Sequence, residues 1–442
     1  MSEIRKRVAI VGGGIGGLAM AVALSHLKVD EHLQIDIYES TGKLTQIGAG
    51  IMIWPRGWEI IQSLGLEASL AQKMSPDQEL PSPEQLKPTF KIRKGDTKED
   101  RHIIDVMMPG GSVAFHRADV QEVLLKHISP SIKVHLSHRL ISYRELEEGL
   151  VELEFKNGNK VTCDLLIGAD GINSAIRKTF LRNKNGWSEE EAAQKAQPLW
   201  TGSTVYRNTI DAELIRKDSP NHRALTEAVM YLGKDKHLVA YPILQGKLVN
   251  AVPFLTNYAR EGTYVDGPVL VEGSKDNFAP NFAGWADDVE VLIKHMSNPS
   301  RWEIQHHSPL DTYVSESGSV VLLGDAAHAA PPHLGNGASQ AIEDVYVLAN
   351  VLAKGITSGN FDIPRLTKIY DTVRQPFAVF AADASVRLGY LLDLHSPGFE
   401  NIKDGDEVSQ ESVDTLAKAI QDVWAWTWQS AKPDMERALA MV

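Results

Sequence analysis

Apolar and polar positions along the chain follow two different patterns. Val8-Ala9-Ile10-Val11 is a short unbroken apolar run, as in a strand covered on both faces, and Leu18 to Leu27 repeats apolar residues at helical spacing. Gln34 to Tyr38 reads as a second strand, so the N-terminal segment predicts a βαβ unit. Trp58 to Leu70 and Val120 to Ile128 read as helices, and Val151 to Phe155 and Val161 to Ile167 as strands. Residues 75–105, rich in Pro, Lys, Asp and Glu, predict an exposed excursion low in core content. After Arg177 the character changes. Residues 200–255 carry β-branched and aromatic runs broken at Gly233-Lys234-Asp235 and Gln245-Gly246-Lys247, which predicts an antiparallel sheet. From Ser317-Gly318 the α/β pattern returns, with a long helix over 365–392 and another from Asp406 to Ser430. The expected architecture is α/β. A Rossmann-like cofactor domain is built from residues 1–180 and 316–392, a mainly antiparallel substrate domain is inserted over 181–315, and 393–442 form a C-terminal helical segment.

Composition narrows the class. The 442 residues are 43% hydrophobic and 23% charged, ordinary for a globular protein with a sizeable core. A formal charge of −12 counts against nucleic acid or an anionic membrane as partner, since both select clustered Lys and Arg. Cys163 is the single cysteine, which excludes an intrachain disulfide and fits a reducing compartment; its strand-like setting predicts a small buried side chain. Ile4-Arg5-Lys6-Arg7 before an apolar run imitates a secretory signal, but glycines interrupt that run, and no stretch is long and apolar enough for a membrane span. The expectation is a cytoplasmic protein, monomeric or homodimeric.

Candidate chemistry sits at both ends of the chain. Gly12-x-Gly14-x-x-Gly17 follows a predicted strand and opens a predicted helix. The first glycine permits the turn, the second lets backbone approach a diphosphate, and the third allows helix and strand to pack closely. Glu39, at the end of the second strand, is placed to accept hydrogen bonds from an adenosine ribose. Near the other end, Gly324-Asp325-Ala326-Ala327-His328 follows an apolar strand and runs through Pro331-Pro332-His333-Leu334-Gly335-Asn336-Gly337 into a helix-like segment. A carboxylate at a strand end followed by a glycine turn suits the diol and diphosphate of a nucleotide cofactor. Two such elements at opposite ends imply one large cofactor held by both, which is FAD.

Asp164-Leu-Leu-Ile-Gly168-Ala-Asp170-Gly171, with Ser174 and Arg177 following, and the Asp325 run resemble motifs of the aromatic-ring hydroxylases, the single-component FAD-dependent monooxygenases. His116-Arg117-Ala-Asp119 resembles the segment of that family in which an arginine reaches the flavin. The resemblance runs from Val8 to about Leu392 and is closest to the salicylate hydroxylase and 4-hydroxybenzoate 1-hydroxylase type. It implies that Glu39 binds the adenosine ribose, Arg117 the ribityl or diphosphate region and Asp325 the ribityl chain. Gly335, Gly337 and Ala338 would present backbone N–H groups to the flavin and diphosphate, and Gly48-Ala49-Gly50 would form a second glycine turn beside the flavin, with Gly50 in contact. Asp170 would shape the region between cofactors. One departure is Ile53-Trp54-Pro55-Arg56, where many relatives have Pro-Asn. NADPH or NADH is expected as a transient co-substrate, because no second fingerprint appears.

On the substrate side, His237, Val239 and Tyr241 alternate along a predicted strand and would share one face. Arg207, on another candidate strand, can hold a carboxylate or phenolate bidentately. By the resemblance, Arg207 and Tyr241 match residues that hold a phenolate, and His333 matches a histidine of salicylate hydroxylases near the reactive flavin edge. The candidate catalytic residues are therefore Arg207, His237, Tyr241 and His333. His306-His307 lacks a carboxylate at ligand spacing, so no metal site is expected. Trp424, Trp426 and Trp428 are expected to pack against the body of the protein or a subunit interface. The implied activity is hydroxylation of a phenolic acid with NAD(P)H and O2, with or without decarboxylation. A larger phenolic metabolite, a non-aromatic FAD epoxidase or reductase, and a flavin-binding sensor stand as rivals.

Overall fold

A computed structural model describes residues 5–44, 50–74 and 79–442. A five-stranded parallel sheet runs in the order Val320–Leu322, Leu165–Gly168, Arg7–Val11, Gln34–Tyr38 and Lys133–His135. The first strand of the chain is thus central and a strand from the last third closes the edge, which is how both ends come to build one site. Burial on both faces explains the unbroken apolar runs in the central strands. The helices Ile15–His26 and Gly337–Thr357 pack on this sheet and on each other. Small residues allow their approach: a Cβ at Gly16 would lie 2.8 Å from the Leu323 side chain and 3.3 Å from that of Ala341.

The second large element is an eight-stranded sheet, antiparallel but for one parallel pair. It contains the expected strands between residues 199 and 256, namely Leu199–Asp211, Val229–Gly233, Lys236–Ile243 and Leu248–Thr256. It also contains Leu86–Lys94 and Arg101–Pro109, which corrects the reading of 75–105 as a coreless excursion. Ile92 and Val106 are fully buried and Phe90 nearly so. The charges that disguised these strands are paired: Lys91 donates to Glu227 at 2.7 Å, Lys94 to Asp96 at 2.5 Å, and Arg93 to Asp100. Their neighbour in the sheet is Val229–Gly233, a partner no local pattern could indicate.

The long C-terminal helix spans Ile363–Leu392 and is followed by Gln410–Trp424. A tighter helical turn over Ala425–Trp428 interrupts the spacing, so Trp424 and Trp428 do not share a regular helix face. Trp424 is wholly buried, edge-on to Trp54 at 4.9 Å, and Trp426 packs against Phe377 and Phe380. Both are therefore core residues of this chain. The expected helix Trp58 to Leu70 is two helices, Pro55–Ser63 and Glu67–Ala71, divided at Gly65. Cys163 is buried, and burial pushes its thiol up to about 12. Among the described residues no helix is long and apolar enough to cross a membrane.

Candidate active site

The N-terminal glycine turn is dictated by close backbone approach. Gly12 has φ +114°, and a Cβ there would lie 2.1 Å from the Ala169 carbonyl oxygen. A Cβ at Gly17 would lie 1.9 Å from the Gly12 carbonyl oxygen. Gly14 is the N-cap of the Ile15–His26 helix, with no side chain to bond its first N–H groups. Glu39 is half-buried and accepts from the Gly13 N–H at 2.7 Å, the Thr41 N–H at 2.8 Å and the Ser40 hydroxyl at 3.0 Å. Burial pushes its carboxyl up, but these donors outweigh that and hold it below the usual range. It is an acceptor at neutral pH, as a ribose diol requires.

The Asp325 loop is held from both sides. Asp344, fully buried on the Gly337–Thr357 helix, accepts from the Gly324 N–H at 2.9 Å, from His328 Nε2 at 2.7 Å and from Arg374 Nε at 2.8 Å. Arg374 and Arg56 both bond Glu343, and Arg56 reaches Asp434 at 2.7 Å. Arg177, 2% exposed, donates to the Ala326, Ala327 and Ser308 carbonyls. Between these anchors Asp325 itself is exposed and has no hydrogen-bond partner among the described residues. Its Oδ1 would be 3.9 Å from a Cβ at Gly337. Gly335 takes φ +60°, and Gly337 begins a 21-residue helix whose N-cap, Asn336, makes no side-chain cap bond; Ala338 follows, half-buried. Two helix N-termini with uncapped N–H groups, a free carboxylate and an ionised ribose acceptor are the donor set that an FAD molecule needs, so these residues fit that cofactor.

Gly50 and His116 face each other in a two-stranded ladder, so Arg117 directly follows the residue opposite Gly50. Arg117 opens the helix Arg117–His127, is exposed, and is unpaired among the described residues. One turn on, buried Gln121 donates to the Gly13 carbonyl at 3.4 Å. This helix therefore joins the first glycine turn to Gly50. Gly48 and Ala49 lie outside the described residues.

The face expected to meet substrate runs along Lys236–Ile243. His237 lies opposite Phe254, Val239 opposite Val252 and Tyr241 opposite Asn250. His237 stacks on Phe254 at 4.2 Å, and His333 leans against both rings at 5.6 and 5.5 Å. His237 Nδ1 lies 2.5 Å from Asp393, whose other oxygen accepts from Thr256 and Tyr258. Burial drives His333 down to about 3, with His237 adding to the effect, so it is neutral at physiological pH. A Cβ at Gly50 would lie 3.8 Å from the Tyr241 hydroxyl. Arg207 Nε donates to Asn250 Oδ1 at 3.2 Å, and burial pushes the Tyr241 phenol up while Arg207 and Asn250 pull it down.

The four predicted catalytic residues thus fall into two groups. His237 meets His333, and Arg207 meets Tyr241. Four residues of extended strand separate His237 from Tyr241, roughly 13 Å, more than one benzoate spans. Asp170 accepts from Ser174 and from the Ala175 and Ile176 N–H groups, capping the helix Ala175–Asn185. His307 Nε2 bonds the Ile172 carbonyl. Sequence reasoning missed Asp344, Gln121, Asn250, Asp393 and Gly389, where an added Cβ would lie 2.6 Å from His333 Nε2. Each acts through a partner distant in sequence; only Asp393, just past the end of a predicted helix, stood at a visible boundary.

Comparison with known proteins agrees with this geometry. The sequence matches the FAD binding domain family over residues 5–200 and 288–385. It is 33% identical to a salicylate hydroxylase of Pseudomonas putida, over 88% of this chain and 86% of that one. It is 32% identical to a 6-methylsalicylate 1-monooxygenase of Aspergillus terreus, over 85% of this chain and 83% of the relative. Among solved structures, a salicylate hydroxylase substrate complex superposes with a TM-score of 0.82 at 29% identity, covering 98% of both chains.

Proposed function

Since this chain belongs to the FAD-binding aromatic monooxygenases, we propose that it hydroxylates a phenolic acid using O2 and NADH or NADPH. Bound FAD supplies the redox and oxygen-transfer chemistry. What the chain must add is an electron-rich ring, which follows from removing or sharing the phenolic proton. His333 suits that task. It is held neutral by burial, so a lone pair is available at neutral pH, and it stands on the loop that continues into Gly335, Gly337 and Ala338. Phe254 and His237 pack against its ring, and the Gly389 backbone approaches its Nε2, which hold the imidazole in place.

Glu39 and Asp325 would hold the cofactor through its ribose and ribityl hydroxyls, Arg117 and the two helix N-termini would neutralise the diphosphate, and Gly50 would let the chain lie close to the flavin. Arg207 and Tyr241 bound the far end of the substrate face, and a single-ring acid engages the histidine end. The named relatives support a 2-hydroxybenzoate as the first compound to try. With the carboxylate ortho or para to the phenol, attack at the carbon bearing it releases CO2. The observation that carries the reading is His333, half-buried on the loop that leads into Gly335 and Gly337 and packed against His237 and Phe254. Oxygen uptake with a panel of hydroxybenzoates, with NADH or NADPH and with CO2 measured, tests it. Stimulation by a phenolic acid is expected; a panel without one refutes the proposal.

A further inference from the structure

Backbone groups of the turn Pro331–Gly335 are held by side chains from two distant segments. Ser385, wholly buried on the Ile363–Leu392 helix, donates to the Pro331 carbonyl at 2.6 Å and accepts from the Leu334 N–H at 3.2 Å. Trp54, 2% exposed, donates from Nε1 to the Leu334 carbonyl at 2.8 Å. Within the turn itself the Gly335 N–H bonds the Pro332 carbonyl at 2.9 Å. One internal bond gives a turn its shape but not its place, and ordering a free segment costs conformational entropy. Its place is set from outside.

Trp54 follows the strand Gly50–Ile53 and is the N-cap of the helix Pro55–Ser63. Among the described residues, its bond to Leu334 is the one hydrogen bond between that strand end and the turn. It stands where the chain departs from the Pro-Asn of many relatives. The indole is fixed by other rings, edge-on to Trp424 at 4.9 Å and to Phe90 at 6.5 Å. It also bounds the turn, since a Cβ at Gly335 would lie 3.5 Å from its Cζ2. Trp424 supplies the contrast. It belongs to the same cluster and is wholly buried, yet its Nε1 has no hydrogen-bond partner among the described residues. Trp424 fills space, whereas Trp54 fills space and holds a backbone carbonyl.

We propose that Trp54 and Ser385 are positioning residues for the flavin, holding the Pro331–Gly335 turn and the helix N-terminus after it in the arrangement the cofactor needs. This rests on the reading of Gly50 and of Gly335 through Ala338 as flavin contacts. Both residues act through the backbone of the turn. Loss of either side chain's bonds leaves a buried backbone group unpaired, and the turn then gains by moving to where water reaches that group. FAD binds only the fraction of molecules whose turn is in place, so its apparent affinity falls by that fraction. Through Trp54 the strand that carries Gly50 and the turn that carries Gly335 are coupled into one cradle.

The test uses the full chain freed of flavin, titrated with FAD and followed by flavin fluorescence, with thermal melts in the presence and absence of FAD. Trp54→Phe and Trp424→Phe remove the same volume from one cluster, but only the first deletes a hydrogen bond. Both should lower the melting temperature of the apoprotein, through the cavity they leave. Only Trp54→Phe should weaken FAD binding, by about tenfold if about one turn in ten stays in place. Only in that variant should the rise in melting temperature on adding FAD shrink. Ser385→Ala, the loss of one hydroxyl, should weaken FAD in the same way and serves if Trp54→Phe does not fold. A Trp54→Phe protein that binds FAD as Trp424→Phe does would overturn the role of Trp54, and parent affinity in Ser385→Ala would overturn that of Ser385. If Asp325→Ala weakens FAD while neither of these does, the cradle stands and the positioning role fails. If none of the three weakens it, the reading of these segments as flavin contacts fails as well.

Discussion

Gly389→Ala should cripple turnover without loosening the flavin. Gly389 lies inside the Ile363–Leu392 helix, beneath the His333 ring. A Cβ there would sit 2.6 Å from His333 Nε2 and 2.7 Å from its Cδ2, whereas ordinary contact begins at 3.4 Å. The ring must therefore retreat by nearly an ångström. Phe254 and His237 occupy the space next to it, so it turns rather than slides. A misplacement of about 1 Å in a reacting group costs about a hundredfold in rate. The fold itself should suffer little, because alanine is favoured over glycine in a helix by about 1 kcal/mol, against an overpacking cost of about 1–3 kcal/mol. Steady-state oxygen uptake, flavin content by absorbance and a thermal melt check all three. The expected result is kcat lowered about a hundredfold, full flavin occupancy, and a melting temperature within a few degrees of the parent. A kcat within about threefold of the parent would show that His333 need not sit where it does and would remove it from the chemistry.

Asp325→Ala should weaken FAD retention on gel filtration while leaving the apoprotein fold intact, since Asp325 is exposed and unpaired among the described residues; unchanged flavin occupancy would end that assignment. Gly17→Ala should yield protein with no bound flavin, or none that folds, because the added methyl would lie 1.9 Å from a backbone oxygen; a yellow, stable variant would contradict the geometry of the turn. Acid should destabilise the protein well above the carboxylate range. His307 and His333 are both driven from 6.5 to about 3, chiefly by burial. A depressed folded-state pKa gives stability that is present above 6.5 and lost as pH falls towards 3, at about 1.4 kcal/mol per pH unit for each histidine. Urea unfolding at a series of pH values reads the slope, and His307→Asn should flatten it; an unaltered slope would place that histidine in a solvated setting.

Much of this fold was legible because its signals are local. Gly12, Gly14, Gly17 and Glu39 lie within one strand–turn–helix–strand unit, and the Asp325 run has the same compact form, so both turns and the helices they open could be placed from spacing alone. The FAD requirement followed from having both. Leu86–Lys94 and Arg101–Pro109 were not legible, because their lysines and arginines hide a strand alternation that only cross-sheet partners such as Glu227 neutralise. The separation of Arg207 and Tyr241 from His237 and His333 was not legible, since the register of Lys236–Ile243 against Leu248–Thr256 sets that distance. Asp344 was invisible for a deeper reason. A buried carboxylate inside an apolar helix reads as noise until its arginine or histidine partner arrives from elsewhere in the chain.

The anchoring of Asp325 also bears on how the protein is made. The central strand Arg7–Val11 and its glycine turn are synthesised long before the edge strand Val320–Leu322 can pair. Asp344 and Arg374 emerge later still, and Asp434, which completes the chain of ion pairs through Arg56 and Glu343, comes within the last helix, Lys432–Leu439. A nascent or truncated chain therefore carries one half of a flavin cradle and cannot close it. Chains cut before Val320 are therefore expected to purify without flavin.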